Sequence, residues 1–301
     1  MNAKLIKGLM GVLLASLAGM SFAAPGDVTC VPSNPSFTAS FAPTTSNVTL
    51  MNVTITCVRP SNTGQTTVTA TYSVAAGNGS NFSGSTRRAR LGVTSSYVQY
   101  GLFKDSACPT SVVPWNATSP ITRSVTVTSG APAVNFTEQF YVCIPANTAL
   151  TYTSGHHTDS VILTVTGSTG SPSVAFSGGT GTLSVDIFAP VTCTVSTAPG
   201  TINFGTYTAF GGAKSANTPF GINCSNTLPY TIALDNVNGV AAGLNYTLGL
   251  SVTAGSTGAA SLTPTGTGVA QAYFINGNMV AGQAGNVTKP TTDTRTLTLT
   301  Y

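Results

Sequence analysis

Apolar residues recur at every second position along most of this chain, and rarely at the three-and-four spacing of a helix. That is the period of half-buried strands. In the first half the pattern predicts strands over Val48–Cys57, Thr66–Val74, Tyr97–Phe103, Ser124–Thr128, Phe136–Ile144 and Ser160–Thr166. In the second half it predicts Thr201–Tyr207, Phe220–Cys224, Tyr230–Leu234, Leu244–Val252, Val269–Ile275 and Thr294–Tyr301. Clusters of Gly, Asn and Pro separate them. Many short strands at this spacing point to all-β sandwiches, not to a parallel sheet.

Two strands are near copies. Thr292-Asp-Thr-Arg-Thr-Leu-Thr-Leu-Thr300 aligns without a gap on Thr158-Asp-Ser-Val-Ile-Leu-Thr-Val-Thr166. In the later copy Leu297, Leu299 and Tyr301 share one face, and Thr296, Thr298 and Thr300 the other. The earlier copy is followed by a Gly/Ser-rich loop and one more alternating stretch, Thr182–Phe188, with Leu183, Val185 and Ile187 on one face. The later copy has no successor in the sequence. The chain therefore reads as an internal repeat. The expected division is a secretory signal over residues 1–23, a first domain over 24–189 and a second over 190–301.

The signal reading rests on Lys4 and Lys7, an apolar run from Leu9 to Met20, and small residues around Ala23. That run is too short to span a bilayer. The six cysteines are even in number, which in an exported chain implies disulfides. Cys30 and Cys57, and Cys193 and Cys224, have similar spacings and begin the two repeats, so they are expected to pair. Cys108 and Cys143 are then left for each other. A zinc site is the competing reading, but there is no C-x-x-C and the histidines are His156 and His157 alone. No metal or other cofactor is expected.

Charged residues are 6% of the chain, against about 25% in an average protein. Thr, Val, Ser, Gly and Asn abound, as suits a β structure with hydroxyl-rich outer faces. Without the signal, nine basic residues stand against seven acidic ones. Nothing here calls for nucleic acid, and the short cluster Arg87, Arg88 and Arg90 is expected to be solvated or paired across strands. Glu138 is the single glutamate, and Asp159 is expected in a turn before its strand. His156 and His157 are expected in a surface loop. This inventory makes a general acid, base and nucleophile hard to assemble, and no enzyme is expected.

The order of several motifs resembles the spore coat protein U domain family, the subunits of archaic (Csu-type) chaperone–usher pili. The matching pieces are Cys193-Thr-Val195 leading into Asn203-Phe-Gly-Thr-Tyr207, and Val98-Gln-Tyr-Gly-Leu-Phe-Lys-Asp105 with Arg88 and Arg90 upstream and Trp115 downstream. Tyr141-Val-Cys-Ile-Pro-Ala146 and the two terminal Thr-Asp strands complete the resemblance. The second half has Tyr273-Phe-Ile-Asn-Gly277 where the family has its I-P-A segment, and it has no Trp. The resemblance implies immunoglobulin-like sandwiches that lack their last strand. A periplasmic chaperone fills the gap first, an outer-membrane usher follows, and the N-terminal donor strand of the adjacent pilin subunit replaces the chaperone.

On this basis the first domain is expected to be self-complemented by Leu183, Val185 and Ile187. Burial of those side chains is worth roughly 5–9 kcal/mol. The second domain is expected to be open along Leu297, Leu299 and Tyr301. The residues Ala24 to Thr29, with Pro25 and Gly26 among them, are too short and broken to be a donor strand. The expected role is a pilus-tip adhesin at the cell surface, acting in surface attachment and biofilm formation. A non-polymerising exported coat or matrix protein is the alternative. The expected binding loops hold Phe82, Val112, Val113, Trp115, Val174 and Phe176, facing an abiotic hydrophobic surface or a host receptor.

Overall fold

A computed structural model describes residues 28–60, 66–108, 113–147, 151–170, 173–176, 178–286 and 291–301. The signal segment and Val112 lie outside the described residues. Among the described residues all regular elements are strands, and they divide into two sets that share no sheet.

The first set opens with β1 (Thr29–Pro32), β2 (Ser36–Ser40), β3 (Asn47–Val58), β4 (Thr67–Ala76) and β5 (Arg87–Arg90). It continues with β6 (Tyr97–Phe103), β7 (Ile121–Thr128), β8 (Val134–Ile144), β9 (Gly155–Thr169), β10 (Val174–Phe176) and β11 (Thr180–Ala189). Along one path the order is β1-β3-β8-β6-β5-β9-β11-β2, with β4 on β9 and β7 on β4. The sheet turns its corner at β5, which pairs with β6 over four residues but meets β9 at Arg90 and Thr158 alone. The result is a sandwich. Val53, Ile55, Tyr72, Val74, Leu102, Phe140, Val161 and Leu163 fill it, all fully buried. Alternation explains why: in β9, His157, Asp159, Val161, Leu163 and Val165 face in, and the residues between them face out.

The second set contains β12 (Cys193–Thr197), β13 (Lys214–Cys224), β14 (Thr231–Leu234), β15 (Asn238–Ala241), β16 (Leu244–Ser251), β17 (Ser261–Leu262), β18 (Ala270–Met279) and β19 (Leu297–Thr300). One sheet is ordered β12-β13-β18-β16-β15 and the other β17-β14-β19. Phe220, Ile222, Tyr230, Ile232, Leu250 and Tyr273 make its core. Strand β13 starts at Lys214, well before the expected Phe220, and runs through Pro219. Proline is tolerated there because the ladder with β12 reaches only to Gly221.

The disulfides Cys30–Cys57 and Cys193–Cys224 join the first two paired strands of each sandwich, and Cys108–Cys143 ties a loop to β8. The sandwiches meet where β11 runs into β12. There the amide of Asn226 donates to the carbonyl of Tyr152 at 3.0 Å, and Thr153 bridges to Asn226. The Tyr152 ring packs edge-on to Phe41, 5.1 Å between centroids.

His157 lies near this junction and departs from the surface loop expected for it. It is the third residue of β9 and fully buried. The carbonyl of Gly155 lies 3.1 Å from Nδ1, so Nδ1 carries the proton. Nε2 accepts from Ser96, 2.9 Å away, whose oxygen accepts the amide of Thr153. Every position is used by the neutral ring, and burial pushes its pKa below the usual value. The unfolded chain therefore takes up a proton below about pH 6.5 that the folded chain excludes. First-domain stability is expected to be flat above that pH and to fall as pH drops, by at most about 1.4 kcal/mol per unit. Urea midpoints measured from pH 7.5 to 5 should show a steeper fall for wild type than for His157→Gln. Parallel curves would contradict the assignment.

Candidate functional site: one filled slot and one open slot

Strand β11 fills a slot between β9 and β2. It is antiparallel to β9, with Leu183 opposite Val161, Val185 opposite Asp159 and Ile187 opposite His157. It is parallel to β2, with Val185 opposite Phe37 and Ile187 opposite Ala39. Backbone bonds extend the ladder, from Phe41 N to Phe188 O at 2.8 Å and from Ser184 N to Pro35 O at 3.0 Å. Leu183, Val185 and Ile187 are all buried. Gly179 and Gly181, at the start of the strand, have no room for side chains. A Cβ on Gly181 would sit 2.6 Å from Ser33 O, and one on Gly179 would sit 2.3 Å from Val31 Cγ1.

In the second sandwich no strand among the described residues takes the place that β11 takes in the first. Strand β19 pairs with β14, Leu299 opposite Ile232 and Leu297 opposite Leu234. Among the described residues no strand pairs with its other edge. Leu297 and Leu299 are half-buried, and Tyr301 is 59% exposed. The far wall is the segment 201–207. It was expected to be a strand and is not one. Its counterpart β2 is a strand because it pairs with β11, and among the described residues no strand stands in the place of β11 here. Ile202 and Phe204 rest on Gly277 of β18 instead: a Cβ on Gly277 would fall 2.7 Å from the Phe204 ring and 3.2 Å from Ile202. Phe204 also leans on Tyr246, 5.8 Å between centroids.

The repeated aspartates are not turn residues alone. Asp159 lies inside β9, and its Oδ2 accepts from Tyr100 at 2.7 Å. Its Oδ1 accepts from the amides of Ser80 and Ser160. Asp293 stands four residues before β19 and its Oδ2 accepts from Tyr246, again at 2.7 Å. Oδ2 also meets Arg295 Nη2 at 2.7 Å and the amide of Val240 at 3.3 Å. The hydrogen bond from Tyr246 leads in holding Asp293 below the usual carboxylate range, with Val240 and Arg295 adding to it. Burial raises the phenol pKa of both Tyr100 and Tyr246. The repeated Thr-Asp was visible in the sequence; its tyrosine partner, on a strand some fifty residues away, was not.

The expected binding residues are scattered. Trp115 is fully buried: its Nε1 donates to Val74 O at 2.8 Å and its ring lies 4.5 Å from that of Phe140. A buried indole needs such a partner, and the loop folds inward to provide it. Phe176 is also buried, against the backbone of Gly167, so neither ring is a surface residue. Val174 is half-buried beside it. Phe82 and Val113 are 36% and 38% exposed. Phe82 lines a cleft of about 280 Å³ with Phe103, Pro114 and Pro145.

Arg87 departs from the solvated place expected for it. It is buried, not solvated, and its guanidinium donates to the carbonyls of Gly77 and Trp115. Arg88 lies 4.2 Å over the Tyr97 ring. Glu138 accepts from Tyr72 and pairs with Arg123 at 3.1 Å. His156 contacts Asp186 at 2.9 Å on the surface.

The chain belongs to the spore coat protein U domain family, whose model matches residues 17–164 and again 179–300. Two matches in tandem agree with the two sandwiches. No protein with a curated description matches the chain. Among solved structures, it is similar to a chaperone–tip adhesion subunit pre-assembly complex of archaic Csu pili of Acinetobacter baumannii. The identity is 14%, the TM-score 0.48, and the match covers 90% of this chain and 100% of the other. The CupB6 tip adhesin of Pseudomonas aeruginosa matches at 11% identity and TM-score 0.37, over 90% of this chain and 92% of that one. CfaE, the adhesive subunit of CFA/I fimbria of enterotoxigenic Escherichia coli, matches at 11% and 0.30, over 85% and 89%.

Proposed function

We propose that this protein is the tip subunit of a chaperone–usher pilus, an adhesin whose second domain receives a strand from the next subunit. One observation carries the reading: the slot that β11 fills in the first sandwich is open in the second. A domain complemented in cis has no acceptor site left. A domain with a bare apolar edge is an aggregation hazard unless another chain covers it. Strand addition covers such an edge with ladder hydrogen bonds for affinity and alternate side chains for specificity. Membership of the spore coat protein U domain family supports the same route, with a periplasmic chaperone occupying the slot first and an outer-membrane usher exchanging it. None of the described residues forms a helix long and apolar enough to cross a membrane.

One end of the fused molecule then faces the fibre and the other faces outward. Strand β11 runs from Thr180 to Ala189 at the junction, so the loops beside Thr180 lie at the outer pole. We place attachment to hydrophobic surfaces or receptors, and the biofilm role, on the first domain, with strand β10 (Val174–Phe176) and its surroundings at that pole as the contact region.

Immunogold labelling of native fibres with an antibody to the first domain tests the proposal. Gold is expected at fibre ends alone. Gold along the shafts would make the protein a shaft subunit. Gold spread over the cell surface without fibres would make it a coat or matrix protein.

A further inference from the structure

The walls of the two slots differ at one inward position, Val161 in the first and Arg295 in the second, and this sets the chemistry of the strand that the second one accepts. In β9 the inward wall reads Asp159, Val161, Leu163, Val165, and the gap-free copy reads Asp293, Arg295, Leu297, Leu299. The equivalence is structural as well. Val165 and Leu299 each pair with the inner strand of their sheet, opposite Val74 and Ile232, and each aspartate takes the hydroxyl of a tyrosine at 2.7 Å. Arg295 thus holds the inward position that fully buried Val161 holds under Leu183.

Strand β11 has its large residues over the first part of this wall and glycines over the second. Leu183 and Val185 lie over Val161 and Asp159, while Gly181 lies over Leu163 and Gly179 bonds back to Val165. The second sandwich keeps the apolar second part of the wall but puts Arg295 where Val161 lies. Its apolar part is Leu297 and Leu299, and its first part is an ion pair. That pair has idle capacity. All three bonds of Asp293 go to Oδ2, and Arg295 donates from Nε to Tyr246 and from Nη2 to Asn238 O and Asp293. Among the described residues neither Asp293 Oδ1 nor Arg295 Nη1 has a partner. Their side chains are 24% and 22% exposed. Asp159, by contrast, is satisfied through both oxygens, so Val185 can cover it.

We infer that the second sandwich selects a donor strand with apolar residues at the positions of Gly179 and Gly181 and a carboxamide side chain at the position of Leu183. A carboxamide both accepts and donates, so one group can serve Arg295 Nη1 and Asp293 Oδ1 together. A leucine there would seal both atoms from water unpaired, which costs more than its own burial returns. The slot therefore rejects strands of the β11 type, including those of other copies of this chain. This rests on the open-slot reading.

The test uses the full mature protein and fluorescent synthetic peptides, with binding read by anisotropy. The first peptide carries residues 178–189 with Gly179→Val and Gly181→Leu. The second adds Leu183→Asn. The third has the unaltered sequence. The second is expected to bind at least tenfold tighter than the first, and the first tighter than the third. In Arg295→Leu protein the first should overtake the second, which also shows that the variant is folded. Equal binding of the first two peptides by wild type, or a preference unchanged in Arg295→Leu, overturns the inference and leaves the open slot standing. If no peptide binds, the open slot falls as well.

Discussion

Replacing Leu183 and Ile187 together with aspartate is expected to unfold the first sandwich. Both side chains are fully buried, on the strand that separates β9 from β2. Truncating a buried Leu or Ile to Ala costs about 2–5 kcal/mol. A carboxylate in the same place adds the cost of removing a charge from water, or of protonating it. Two such changes rival the whole stability of a domain, about 5–15 kcal/mol. Strand β2 should be lost with β11, since β11 is its neighbour in the sheet. Urea unfolding of wild type is expected to show one transition per sandwich, and the variant should retain the second-domain transition alone. A first transition at an unchanged midpoint would remove β11 from the role of complementing strand.

The second large effect is at the open edge. Leu297→Asp with Leu299→Asp is expected to abolish recovery of the protein in fibres, with at least a hundredfold loss of strand affinity. These two side chains line the apolar part of the slot, and an incoming strand would have to bury a charge against each. Thr298→Asp with Thr300→Asp changes the same short strand on its exposed face. That variant should assemble normally, which separates loss of the slot from loss of the strand. Fibre content, measured by blotting sheared pili, decides it. Assembly of the leucine variant at wild-type level would mean that the edge of β19 is not the acceptor.

Much of the fold could be read from local pattern. Strands such as β3, β6, β8 and β16 alternate strongly because one face packs on a core and the other meets water. The duplicated Thr-Asp strand exposed the repeat, since equal positions in two copies of one sandwich meet equal environments. Single apolar residues in turn-rich stretches misled. Trp115 and Phe176 lie in loops by sequence, but each folds back to fill space in the interior. Arg87 and His157 were equally opaque. A polar side chain can be fully buried when carbonyls and hydroxyls from distant segments converge on it, and no local pattern records that convergence.

For this protein the sequence by itself determined an all-β chain in two related halves, with an extra alternating stretch after the first copy of a repeated strand. Period-two alternation and repetition are properties of neighbouring residues, so they are legible along the chain. Only the tertiary structure decided that β11 inserts antiparallel to β9 and parallel to β2, and that segment 201–207 is left without a ladder. It also decided that Asp293 and Arg295 hold the end of a slot whose counterpart is closed over by Val185 and Leu183. Strand pairing and side-chain satisfaction depend on what arrives from elsewhere in the chain, and that is settled only when the sheets are assembled.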